Sequence, residues 1–149
     1  MGRVYSIFGD TPADPTAARH MLRALAASER GFKVKRFWLS SRDVAGATVV
    51  AVALNRVTDT GTGTAATVTP HNQSDAAWAG DADYNLSVPP TVSATVHRWL
   101  WNIQVPFEIV FADGEELVVP GATNEGFSIE LEDDPNNVVE CGAIIEEIE

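Results

Sequence analysis

Phe127-Ser128-Ile129-Glu130-Leu131-Glu132 alternates apolar and polar side chains. Val139, Cys141, Ala143 and Ile145 repeat the pattern after the turn signal Asp133-Asp134-Pro135-Asn136-Asn137. A period of two bounded by Asp, Pro and Asn is what a half-buried antiparallel strand requires, because successive side chains leave opposite faces. Working back, Phe107–Phe111 is followed by the turn Ala112-Asp113-Gly114, and Glu116–Val119 is closed by Pro120-Gly121. These runs predict an all-β fold, an antiparallel β-sandwich whose second sheet the upstream chain must supply.

Upstream, Arg3–Phe8 alternates as a short strand before Gly9–Pro15 breaks regular structure. Phe32–Leu39 reads as a strand whose apolar set changes sides around Lys35-Arg36, which suggests a bulge or a strand crossing between environments. Ala47–Val57 is apolar on both faces, as suits a central strand packed on two sides or one packed on the core and on a neighbouring subunit. Thr91–Val105 resumes strand character and puts Trp99, Trp101, Ile103 and Val105 on one face. Between these, 58–90 reads as a long irregular loop. Trp78, Tyr84 and Leu86 inside it must pack, either back onto the domain or against a partner. Thr16–Ser28 is ambiguous: Met21, Leu22, Leu25 and Ala26 have helical spacing, while a strand is the competing reading.

One domain suits 149 residues, and a 45% hydrophobic content suffices for a single core. The organisation expected is an extended N-terminal arm over 1–15 and one sandwich domain over 16–149. No apolar run is long enough to span a membrane as a helix, and no signal-peptide-like stretch opens the chain. The lone Cys141 excludes an intramolecular disulfide, and its place on an apolar face predicts a buried thiol.

Charge is unevenly distributed. The net value is -11, yet from Trp99 onward there are thirteen acids and no Lys or Arg, against ten bases and eight acids before it. This disfavours direct nucleic-acid binding, since a phosphate backbone would be repelled over a third of the chain. It suggests a body that docks one way round, its less acidic part on a partner.

Chemistry-bearing motifs are weak. His20, His71 and His97 fall in separate segments without metal-ligand spacing, which disfavours a cupin-like metalloenzyme. There is no Gly-x-Ser-x-Gly, and no Ser/His/Asp set can be assembled from spacing. The acidic pairs sit at turns and strand ends, where solvated carboxylates are usual, and Asp133–Asn137 lacks the spacing of a calcium loop. No catalytic residue, metal ligand or cofactor-binding residue is assigned.

A resemblance adds to this. Thr16-Ala17-Ala18-Arg19-His20-Met21-Leu22 leads into Phe32-Lys33-Val34-Lys35-Arg36-Phe37, followed by a Gly-Thr-Ala segment over Thr58–Thr67. Then come Val105-Pro106-Phe107-Glu108, Glu116-Leu117-Val118-Val119-Pro120-Gly121, Gly126-Phe127-Ser128-Ile129 and an acidic last strand. In this order they resemble small tailed-bacteriophage virion proteins of jelly-roll type, among them capsid decoration (cement) proteins and head or tail accessory proteins. The resemblance favours strand over helix for 16–28. It implies a non-enzymatic homotrimer on the outer surface of the virion capsid, bridging major capsid subunits, with no cofactor and no membrane or nucleic-acid partner. Arg3, Lys33, Lys35, Arg36 and Arg42 are then candidates for meeting an acidic capsid surface. Tyr5 in the arm, and Trp78 and Tyr84 in the loop, are further contact candidates. Other readings are a head-fibre or tail accessory module, and a carbohydrate-binding sandwich using Trp78, Trp99 or Trp101.

Overall fold

A computed structural model describes residues 2–9, 15, 19–42 and 48–148, which form twelve strands and no helix. They are β1 (Val4–Phe8), β2 (His20–Leu25), β3 (Phe32–Ser41), β4 (Val49–Val57), β5 (Thr62–Ala65), β6 (Thr67–Pro70), β7 (Asp81–Val88), β8 (Val92–Asn102), β9 (Phe107–Val110), β10 (Leu117–Val119), β11 (Gly126–Leu131) and β12 (Val139–Glu147). One sheet runs β10-β3-β12-β1-β6, with β9 also on β3; the other runs β5-β7-β2-β11-β4-β8. Every pairing is antiparallel, and the two sheets face each other across one core.

The pairings are nested. β1 pairs with β12, β2 with β11, β3 with β9 and β10, and β4 with β8. The chain is thus a two-stranded ribbon whose successive rungs fall alternately in one sheet and the other. The cross-pairs β3·β12 and β4·β11 then join the rungs within each sheet. This winding is that of a jelly-roll sandwich.

The expected alternation places the core. Phe127, Ile129 and Leu131 point inward from β11, and Cys141, Ala143 and Ile145 from β12. On β3 the inward set is Phe32 and Val34, then Phe37 and Leu39. The switch is a bulge: Val34 is opposite Ile145 while Arg36 is opposite Ile144, leaving Lys35 as the extra residue. Each fully buried Phe or Leu of this set stabilises the fold by about 1.5–3 kcal/mol.

Four expectations are corrected. The N-terminal arm is instead strand β1, hydrogen-bonded to β12 on one side and β6 on the other, with Tyr5 and Ile7 fully buried. Two apolar side chains at a spacing of two gain more by burial than an arm could by contact. The remainder of that arm at 1 and 10–14 lies outside the described residues, as do 16–18. The irregular loop over 58–90 contains β5, β6 and β7; β6 extends the first sheet beside β1, and β7 with β5 extends the second beside β2. β9 and β10 do not form a hairpin. Both lie antiparallel to β3, so they are one strand interrupted by residues 111–116 opposite the Lys35 bulge. Finally, Val105 leaves the Trp99/Trp101 face, because β8 ends at Asn102 and the turn that follows brings the Val105 carbonyl to the Trp101 indole N–H at 2.6 Å. The helix-or-strand ambiguity resolves as strand over His20–Leu25, where pairing to β11 and β7 outweighs local propensity.

Candidate binding cleft at the open edge of the sandwich

The insertion closes one side of the sandwich. Its loop between β6 and β7 carries Trp78 onto Phe32 (ring centroids 5.6 Å, edge-on) and Tyr5 (6.5 Å), and the Tyr5 hydroxyl donates to Ala76 O at 3.0 Å. Tyr84 lies flat over Gly9, where a Cβ would come within 2.6 Å of its ring. Trp78 and Tyr84 therefore fold back onto the chain's own core, and Tyr5 is buried beneath them. As a contact candidate Tyr5 is corrected, because it presents no surface, while Trp78 and Tyr84 pack on the core and keep part of their surface outside.

The opposite side, between the β8 edge and the β9–β10 edge, is open. On β8 the register shifts between Leu54 and Asn55, which face His97 and Thr95, so Val96 is an extra residue. His97 shares the side of Trp99 and Trp101 by plain alternation, while the bulge turns Thr95 to the opposite face. From across the gap come Phe107, Ile109 and Phe111. Buried Phe37 packs against Trp99 (5.4 Å), Phe107 (5.9 Å) and Phe111 (6.3 Å). Above this floor lies a cleft of about 510 Å³ lined by His97, Trp99, Ile109, Val110, Phe111 and Glu115. Ring centroids there are 5.4 Å apart for His97–Trp99, 6.1 Å for His97–Phe111 and 6.5 Å for Trp99–Phe111.

The rim is pinned by charge. Lys35 Nζ, carried out by the bulge, reaches Glu116 at 2.7 Å and Asp113 at 3.2 Å, and the Gly114 amide donates to the other Glu116 oxygen at 2.6 Å. Gly114 holds φ at +90°, a conformation that other residues rarely adopt. The hydrogen bond from Lys35 pulls the Glu116 carboxyl down to about 2, and the same pair raises the Lys35 ammonium. Glu115, next in the chain, has no ion-pair partner among the described residues, nor does the His97 ring have a hydrogen-bond partner there.

Of the basic contact candidates, Lys33, Lys35, Arg36 and Arg42 share the outer face of the first sheet, and all of these but Lys33 are paired there with acids. Arg3 and Arg30 converge on Glu147, at 3.8 and 2.8 Å. Arg36 pairs with Glu108 at 3.3 Å, its guanidinium 5.4 Å from the centre of the Trp38 ring, and Arg42 pairs with Glu140 at 3.1 Å. Lys33, on the outer face of β3, is half-buried and has no ion-pair partner among the described residues. The charge segregation of the sequence is thus undone by the fold. The basic strand β3 lies between β12 and β9–β10, and the acidic last third neutralises it at contact distance.

A second polar group sits on the outer face of the other sheet. Asp83, Arg23, Ser128, Asn55 and Thr95 stand in register across β7, β2, β11, β4 and β8. Arg23 is fully buried, with NH1 on Asp81 at 3.0 Å and NH2 on Asp83 at 2.5 Å. His20 Nδ1 meets Ser128 Oγ at 3.0 Å, its Nε2 lies 3.6 Å from Glu130, and Asn55 donates to Glu130 at 2.9 Å. Burial lowers the His20 pKa, against an opposing pull from Glu130. Ser128, His20 and Glu130 have the composition of a hydrolytic set, but the hydroxyl is wholly buried and offers no approach to a substrate.

Sequence reading singled out Trp99 among the cleft residues and missed His97, Phe111 and Glu115 as its companions. Of the other two tryptophans considered for sugar binding, Trp101 is buried and Trp78 is packed on Phe32. Comparisons of the chain with protein-family models, with curated proteins and with solved structures find no match.

Proposed function

We propose that this chain is a non-enzymatic structural protein of a phage virion, which stabilises the capsid by bridging major capsid subunits as a homotrimer. The observation that carries this reading is the free edge of β8. It is an eleven-residue strand that among the described residues pairs only with β4, with Leu100 75% exposed beside half-exposed Val49. Across the gap Val110 is 66% exposed. A long edge with exposed aliphatic side chains invites pairing or packing with another chain, and monomeric proteins ordinarily blunt such edges. The stiff double-layered body suits a protein that works by occupying a position. A head-fibre or tail accessory module would use the same surface. The carbohydrate reading retains only Trp99, whose cleft offers two polar side chains for a ligand that displays many hydroxyls.

Light scattering of the full chain tests the reading. We expect three times the 16.0 kDa chain mass, and a single-chain mass for Leu100→Lys with unchanged circular dichroism. Sedimentation with capsid shells stripped of decoration should carry the trimer down. A monomeric wild type that ignores such shells would remove the proposal.

A further inference from the structure

We propose that the His97/Trp99/Phe111 cleft binds an alkylammonium group, with Glu115 as its counter-charge. Three aromatic centroids mutually 5.4 to 6.5 Å apart leave a position over the cleft within about 6 Å of each, with Phe111 the most buried of the three rings. A cation is attracted to aromatic ring faces within about 6 Å of a centroid. Ile109 and Val110 add aliphatic lining suited to N-methyl groups rather than to a hydrated metal ion. Glu115 supplies the charge. Its neighbours Glu116 and Asp113 are held by Lys35, Glu108 by Arg36, and Glu132 by Arg98 at 2.9 Å, while Glu115 stands at the mouth without such a partner among the described residues. The net charge of -11 draws cations toward the molecule from a distance. A sugar would need several directed donors and acceptors, of which this lining has few. An anion would meet a carboxylate. The inference stands on the cleft alone and does not require the capsid reading.

The ligand chemistry has two sources: a free quaternary ammonium compound, or a lysine or methylated lysine side chain of a partner protein. The test is titration of ¹⁵N-labelled full chain with tetramethylammonium chloride, against sodium chloride at matched ionic strength. We expect saturable shifts at the Trp99 indole and at the amides of His97, Phe111 and Glu115. Glu115→Gln should weaken binding roughly two- to fivefold, as for loss of one exposed ion pair. His97→Ala should cost a similar factor, roughly two- to fivefold for one ring face, and His97→Phe should restore it. Both positions leave the buried floor untouched, and circular dichroism checks the fold. Choline binding more tightly than a trimethyllysine dipeptide would assign a small-molecule ligand; the reverse order would assign a side chain. Equal binding of the uncharged isostere 3,3-dimethylbutanol, preference for a methyl glucoside, or no saturable shift would each overturn the proposal.

Discussion

The two sides of this sandwich solve the same problem differently. Where β1 and β2 would expose their edges, an insertion of three short strands covers them and Trp78 fills the gap between the sheets. Where β8 and β9–β10 face each other, no strand is added among the described residues, and the gap is filled by Phe37, Trp99, Phe107 and Phe111 with a cleft left above them. The covered side is a repair internal to the chain. The uncovered side keeps backbone donors, acceptors and aliphatic side chains available to something else.

If the open side were only a poorer copy of the closed one, truncating its floor would matter less than removing the plug. We expect the reverse. Phe37→Ala should destabilise by about 3–5 kcal/mol, the range for a fully buried aromatic ring. Trp78→Ala should cost about 2 kcal/mol, because part of that ring already faces solvent. Urea denaturation reads both, with unchanged slope showing that the midpoint shift is a stability change.

Acid sharpens the contrast, since the Lys35–Glu116 pin belongs to the open side alone. The folded carboxyl of Glu116 is depressed from an ordinary 4.5 to about 2. Its contribution is therefore fully present above about 4.5 and is lost as the pH falls through about 2. Thermal midpoints of wild type should drop over that window, and Glu116→Gln should flatten this part of the profile while lowering stability at neutral pH. An unchanged profile would show that the pin does not hold the rim. The smallest effect belongs to Lys33→Ala, on the outer face of the same strand. It should shift stability by no more than about 0.5 kcal/mol, whereas Lys35→Ala should lower the unfolding midpoint measurably under the same conditions.

Much of the architecture was legible because its physics is local. β11 and β12 announce themselves by alternation, and the bulge at Lys35 shows as the point where apolar residues change sides. The insertion was legible only in β7, where Asp81–Val88 alternates at every position inside a stretch that reads as loop; Thr62–Ala65 and Thr67–Pro70 carry too few apolar residues to announce strands, and they pair because β7 and β1 offer them partners. Similarly, β1 displays its inward pair in sequence but not its two neighbours, which lie 60 and more residues away. The candidate site was half legible. Trp99 stood out, and His97 two positions earlier shares its face by alternation alone, but Phe111 and Glu115 meet them only across the gap between two sheets. The separation of charge along the chain is not a separation in space for the same reason. Distance in sequence says little where a basic strand is laid among acidic ones.

The nested ribbon also has a consequence for the order of assembly. Val4 is opposite Glu146, so the outermost rung joins residues 142 apart in the chain. During synthesis β1 can find β6 long before β12 is made, and until then one of its two edges stays unpaired. Contacts this distant in sequence slow the conformational search. Refolding should therefore be slow for a chain of this size, and the waiting sheet edge is where nascent copies would stick to one another.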